Sequence, residues 1–346
     1  MLATVVTLGG RAFAEADSAL FAAAASGSAE EVRWALRRGA NPNARSSEHG
    51  IVAWTPLMLA VSRGAGADVV LVLLHAGTSV NARSEHGGRT ALSIEISRHA
   101  RLDIVQRLID AGANVSIQAL AGAVRSDTSD DERPDVVQLL LEILDADPDV
   151  DVSAAASEAL MRALAGPTRS EIVRLLLAAG ADVNVEGSDQ PLHLAVRNSQ
   201  SADVVQLLID AGADVNAFDH IQNTPLLMAS EGNDAAVVRA LIDAGADVNF
   251  QNRRGHALTN AAESSTNPAV VRALIDAGAD VNAFDYTPLM IAAKHNSNPE
   301  VVQVLLDAGA DVNARWGGST ALGYARRNTH LQGTDVYYQI LDASHD

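Results

Sequence analysis

From Thr224 to Asn249 the chain reads T-P-L-L-M-A-S-E-G-N-D-A-A-V-V-R-A-L-I-D-A-G-A-D-V-N. Each part has a local physical reading. Thr224 suits an N-cap, because its hydroxyl accepts from the free amides of a first helical turn. Pro225 follows at the first helical position, where a missing amide costs nothing. Leu226, Leu227 and Ala229 begin a short helix, and Gly232 with Asn233 breaks it. Val237, Val238, Leu241 and Ile242 stand three and four apart, which makes one apolar stripe on a second helix. Gly245 is placed as a left-handed C-cap. Asp247 to Gly255 then leave the helix as an extended finger.

The closing phrase A-G-A-D-V-N recurs at Ala179–Asn184, Ala211–Asn216, Ala277–Asn282 and Ala308–Asn313. Its glycines, Gly180, Gly212, Gly245, Gly278 and Gly309, stand 32, 33, 33 and 31 residues apart. A unit of that length cannot bury its own apolar face, so neighbours must stack. The period therefore predicts an all-α repeat solenoid. The opening of the unit recurs at Trp54-Thr55-Pro56-Leu57, Arg89-Thr90-Ala91-Leu92, Gln190-Pro191-Leu192-His193, Tyr286-Thr287-Pro288-Leu289 and Ser319-Thr320-Ala321-Leu322.

On these motifs the chain resembles the ankyrin-repeat family, whose unit is a hairpin finger, a T-P-L-H helix and a second helix ending in G-A-D-V-N. The resemblance spans residues 17–346 as about ten units. It implies stacked helix-turn-helix units with β-hairpin fingers. It also implies that His193, in the last place of its tetrapeptide, bonds locally and stabilises its unit. Of function it implies only a binding surface, because such arrays take unrelated partners.

Several features depart from the pattern. The helix-to-helix turns at Ser62–Asp68 and Asn198–Asp203 are one residue longer than the family norm, and the finger between Asn282 and Thr287 is short. The fourth unit, at about 117–153, lacks the T-P-L start and carries the acidic loop Ser126–Pro134. Its phrase is replaced by Asp145-Ala146-Asp147-Pro148-Asp149-Val150-Asp151. A weak joint is expected there, since array stability sums unit and neighbour terms. Residues Ala16–Arg38 and 319–346 read as end caps.

Residues 1–16 form an apolar leader. Leu2 to Leu8 with Ala12-Phe13-Ala14 has the form of an export-signal remnant, but no basic segment precedes it. Covering the first repeat is the other reading. Export would place the protein in a bacterial periplasm or outside the cell, and its absence in the cytoplasm. An alanine-rich composition with Arg far above Lys suggests a bacterial source.

Of the 346 residues 48% are hydrophobic but only 3% aromatic, so the core must be Ala, Leu, Val and Ile. The formal net charge is -18, which excludes general nucleic-acid binding because that needs a basic surface. No cysteine is present, which removes disulfides and thiolate metal sites. No apolar run reaches the ~20 residues that span a bilayer.

No H-E-x-x-H, G-x-S-x-G, Walker loop or helix-opening G-x-G-x-x-G occurs, so no catalytic residues and no cofactor are expected. Asp145, Asp147, Asp149 and Asp151 alternate like the start of a calcium loop. Val150 and Ala156 occupy the sixth and twelfth places, where glycine and glutamate are needed. Glu48, His49, Glu85 and His86, on near-copied fingers, make an alternative zinc-binding group. Asp182, Asp214, Asp247, Asp280 and Asp311 are read as turn formers, and so are the asparagines that follow them.

A non-enzymatic scaffold that binds a protein partner along its fingers and first helices is therefore the leading expectation. The candidate contact residues are Phe218, His220, Ile221, Arg253, Arg254, Phe284, Tyr286, Lys294, His295, Arg315 and Trp316. Arg197, Arg326 and Arg327 add charge at first-helix ends. Aromatic and arginine side chains are the usual anchors of interfaces. Phe250 is expected to pack inward. The array is expected to be monomeric, with no membrane insertion.

Overall fold

The computed structural model describes residues 15–344 except 47–52, 86, 125–131, 186, 188–189, 199–200, 233 and 254. Among the described residues twenty helices run in ten consecutive pairs. The first five pairs are α1 (15–26) and α2 (Ala29–Arg37), α3 (Pro56–Ser62) and α4 (Ala67–His75), α5 (Ala91–Arg98) and α6 (Leu102–Asp110), α7 (Ile117–Ala123) and α8 (Arg133–Asp145), and α9 (Val152–Leu164) and α10 (Ser170–Ala178). The last five are α11 (Pro191–Arg197) and α12 (Ala202–Asp210), α13 (Pro225–Ser230) and α14 (Ala235–Asp243), α15 (Ala257–Ser264) and α16 (Pro268–Asp276), α17 (Pro288–His295) and α18 (Pro299–Asp307), and α19 (Ala321–Ala325) and α20 (Asp335–Ala343). Residues 15 and 16, placed with the leader on sequence, already belong to α1. Residues 1–14 lie outside the described residues.

The chain divides into two compact units, one up to Ala163 with Arg174–Ala181, the other Leu164–Val173 with Asp182 onward. In the first, α3, α5 and α7 pack in series, as do α2, α4, α6 and α8. In the second, α11, α13, α15, α17 and α19 form one row and α12, α14, α16, α18 and α20 another. Their contacts are made by small aliphatic side chains such as Val238, Leu241, Val271, Leu274, Val302 and Leu305, all fully buried. Each such Val or Leu contributes about 1.5–3 kcal/mol on burial.

The helix starts form as their sequences dictate. Thr55, Thr90, Thr224, Thr287 and Thr320 each accept from the amide three residues on. Gln190 and Ser116, which replace threonine, make no side-chain cap bond. The A-G-A phrase builds the helix ends. With Gly245 at φ 90°, the Ala246 amide turns back to the Leu241 carbonyl at 3.0 Å. Ala213, Ala279 and Ala310 do the same with Leu208, Leu274 and Leu305. The second alanine of the phrase is buried in every one of these copies. The phrase is thus a C-cap that docks its own terminal residue.

The asparagine that ends the phrase does more than turn the chain. The Asn216 amide donates to the Gly245 carbonyl, and its Oδ1 accepts from the Asp247 amide, at 3.1 and 2.8 Å. Asn184, Asn249 and Asn282 clamp the next unit's glycine and aspartate in the same way. Asn43 and Asn81 make the same pair of bonds in the first compact unit, with Ser79 and Asn114 in the place of the aspartate. Asp151 holds the equivalent place in the acidic segment, and a carboxylate has no amide to give. Its Oδ1 caps α9 through the Ala154 amide, while Ser153 supplies the bond to the Gly180 carbonyl.

The fingers hold little regular β-structure. Among the described residues one two-stranded sheet forms, β1 (Gln251–Asn252) against β2 (Gly255–His256), with one further bridge between Trp316 and Ser319. In other fingers side chains add to a few backbone bonds, such as that from the Asp219 amide to the Asn223 carbonyl. Asp219 Oδ1 accepts the amides of Ile221 and Asn223 at 2.9 and 2.8 Å. Arg45 donates to the carbonyls of Ala53 and Arg83.

Candidate partner-binding surface

Three of the last four fingers hold large apolar side chains in water. Phe218, Phe284 and Trp316 are 52%, 42% and 48% exposed, and Ile221 is exposed beside Phe218. Each is placed by local chemistry. The Asp219 turn presents His220 and Ile221, and the Phe218 ring lies 5.0 Å from Phe250. Phe250 is half-buried and supports that exposed ring. Burial alone would raise the Asp219 carboxyl, but the amides of Asn223 and Ile221, the Asn223 side chain and His193 hold it below the usual range. Arg197 lies 3.8 Å from its other oxygen.

The short finger before α17 puts Phe284 at φ 66°, a left-handed conformation unusual for a residue with a Cβ. Its ring meets the His256 ring at 5.1 Å. The Trp316 finger is a tight hairpin, with Trp316 and Ser319 exchanging backbone bonds of 3.0 and 2.9 Å. Gly317 and Gly318 both have positive φ, as this two-residue turn demands.

Tyr286 is not an exposed anchor. Its ring is half-buried, 6.2 Å from Trp316 and 5.7 Å from Tyr324. Its hydroxyl is buried without a hydrogen-bond partner, and burial, with Tyr324 and Glu263, pushes the phenol up to about 12. Tyr286 is the platform on which Trp316 and Lys294 rest. The Lys294 ammonium lies 5.8 Å from the Tyr286 ring and 5.6 Å from the Tyr324 ring. His220, Arg253, His295 and Arg315 are exposed, and Arg254 lies outside the described residues.

His193 reaches further than its family position implies. Its Nε2 lies 3.2 Å from the Asn223 carbonyl, in the finger of the next unit. His256 takes the place threonine holds elsewhere. Its Nδ1 accepts from the Thr259 amide at 3.2 Å, and the Thr259 hydroxyl accepts from the His256 amide at 2.9 Å. Only the neutral imidazole can accept at Nδ1. Burial lowers the His256 pKa from its ordinary 6.5, against the backbone oxygens of His256 and Asp280 and the Asp280 charge, which favour the cation. Below pH 6.5 the unfolded chain therefore takes up a proton that the folded chain resists. The cap's contribution is complete above 6.5 and is lost as pH falls through the lowered folded value. His256→Thr is expected to remove this slope, which is at most about 1.4 kcal/mol per pH unit. Melting temperatures of both proteins from pH 7 to pH 5 check it, and parallel curves would refute it.

No described group of three or more His, Asp or Glu side chains is arranged to hold a metal. Of the alternative zinc group, Glu48, His49 and His86 lie outside the described residues, and Glu85 is exposed. Within the alternating acidic run, Asp147 accepts from the Asp149 amide and Asp151 caps α9. A shallow groove between α6 and α8 is lined by Asp103, Glu132, Asp135 and Glu142 with Leu102 and Leu139, and Glu132 accepts the Leu102 amide at 2.8 Å. No described helix is long and apolar enough to cross a membrane.

Paired helices, Gly-capped ends and asparagine clamps at one-repeat spacing define a helical repeat array. A family model described as ankyrin repeats (3 copies) matches four stretches, residues 20–119, 120–219, 192–285 and 258–336. The chain belongs to the ankyrin-repeat family. Such repeats are generally protein–protein interaction modules. A search of curated proteins finds no match.

Proposed function

We propose that this chain is a non-enzymatic scaffold that docks a protein partner on the fingers and first-helix ends of its second compact unit. The observation that carries this reading is the exposure of Phe218, Phe284 and Trp316 on fingers of a chain with so few aromatics. Aromatic side chains are enriched among the anchors of protein interfaces. At Phe284 the exposure coincides with backbone strain, which persists where function requires it. Fixed fingers also lower the ordering cost of association.

The test compares proteins captured from native extract by the full chain and by a variant carrying Phe218→Ala, Phe284→Gly and Trp316→Ala. A protein held by the first and lost by the second is the expected result, at unchanged helicity. Equal capture would move the interface elsewhere. Phe284→Gly alone separates binding from folding. Removing the ring gives up its contact with His256, but relief of the left-handed strain returns about 1–2 kcal/mol. A net change under about 1 kcal/mol in urea unfolding is expected, together with weakened capture.

A further inference from the structure

The charges of the last two repeats are segregated. Over the finger and first-helix segments 283–298 and 314–328, Lys294, Arg315, Arg326 and Arg327 stand against one acid, Asp285. The second helices behind them, α18 and α20, carry Glu300, Asp307, Asp335 and Asp342 and no lysine or arginine. The chain as a whole is strongly acidic, so this basic face runs against its own composition. All four cations are exposed, and none takes part in an ion pair among the described residues. The finger aspartate Asp311 is already engaged, since its carboxylate accepts the Asn313 amide. Lys294 is held over two rings, which orients its ammonium without neutralising it.

We propose that this face takes an acidic peptide segment of the partner, its carboxylates paired with Lys294, Arg315, Arg326 and Arg327 and an apolar side chain set against Trp316. The inference rests on the docking function proposed above and adds the chemistry of what docks. Charge complementarity selects the acidic class, because a basic segment would meet four unpaired like charges. The flat indole lies 6.2 Å from Tyr286, the ring that also holds Lys294, and offers the apolar contact. The acids of α18 and α20 act in the same sense, disfavouring an acidic segment on the opposite side.

Random short peptides displayed on phage, panned against the full chain, test this directly. Enrichment of acidic peptides containing an aromatic or aliphatic residue is expected. A synthetic representative should lose about 10–100-fold in affinity to a variant with Lys294→Gln, Arg315→Gln, Arg326→Gln and Arg327→Gln, whose four positions are exposed and unpaired. It should also weaken with added salt. A carbodiimide should couple its carboxylates to Lys294, the only lysine in the chain. Acidic peptides that bind the four-glutamine variant equally well would overturn the inference. Neutral or basic peptides that are lost on Trp316→Ala would overturn it while leaving the docking function standing. Failure to enrich any peptide, or binding indifferent to both variants, would overturn both.

Discussion

Replacing Arg101 by methionine is expected to destabilise the first compact unit by about 3–5 kcal/mol. Glu95 has no solvent exposure, and its carboxylate is gripped on both oxygens by Arg101, at 2.8 Å from Nε and 2.8 Å from Nη2. The remaining nitrogen reaches back one repeat to the carbonyls of Gly64 and Ala65, at 3.1 and 2.9 Å. The hydrogen bond and charge of Glu95 accordingly raise the guanidinium pKa above its ordinary value. Removing the arginine leaves a buried carboxylate with only the backbone amide of residue 101, at 3.3 Å, and frees two carbonyls at the turn of α3 and α4. The cost comes from the orphaned charge rather than from the pair itself, since a buried pair barely repays its own desolvation. The double variant Glu95→Leu with Arg101→Met should therefore recover most of the loss. Urea unfolding of the three proteins measures both effects. A single variant that loses less than about 1 kcal/mol would mean that water reaches Glu95 after all.

What could be read from the residues and what could not divide along sequence distance. Threonine caps, the proline after them and the glycine that ends each second helix act within one turn of chain, so Thr224 to Gly245 could be read directly. The clamps could not. Asn216 looks like any turn asparagine until its partner, 29 residues on, is placed beside it by the stacking. The same holds for His193, whose acceptor sits 30 residues away, and for Arg101, whose carbonyl partners lie 36 and 37 residues back. The period of the repeat was the available signal, because any donor recurring once per unit is placed to bond its neighbour. The exposed aromatics were legible from their finger positions, but the division of labour among them was not. Phe218, Phe284 and Trp316 face water, whereas Tyr286, in the same stretch, lies beneath Trp316 because the short finger turns its ring toward Tyr324.

Asn296→Ala is expected to cost about 3 kcal/mol, against about 1 kcal/mol or less for Asn249→Ala. Both asparagines bridge successive repeats, and they differ in access to water. Asn296, just past α17, is 1% exposed. Its amide donates to the carbonyls of Ala262 and Ser265 at 3.0 and 2.8 Å, and its Oδ1 accepts from the Asn298 amide at 2.9 Å. Asn328 repeats the arrangement one unit later, on the carbonyls of Ala293 and Asn296 itself, so the second clamp builds on the first. Alanine at 296 takes the amide partner from the Ala262 and Ser265 carbonyls, in bonds that are buried from water, and the acceptor from the half-buried Asn298 amide. At Asn249 the bonds to Gly278 and Asp280 are exposed, and water takes over. Asn296→Asp should fare no better than alanine, because it keeps the acceptor but turns a negative oxygen toward two carbonyls. The loss also reaches the binding face. Lys294 and His295 are the last residues of α17, and the Asn296 clamp holds that helix end against the turn before it. A variant that still folds should thus bind the acidic peptide more weakly, although position 296 itself is buried. Equal losses at 296 and 249 would show that burial does not set the strength of these clamps.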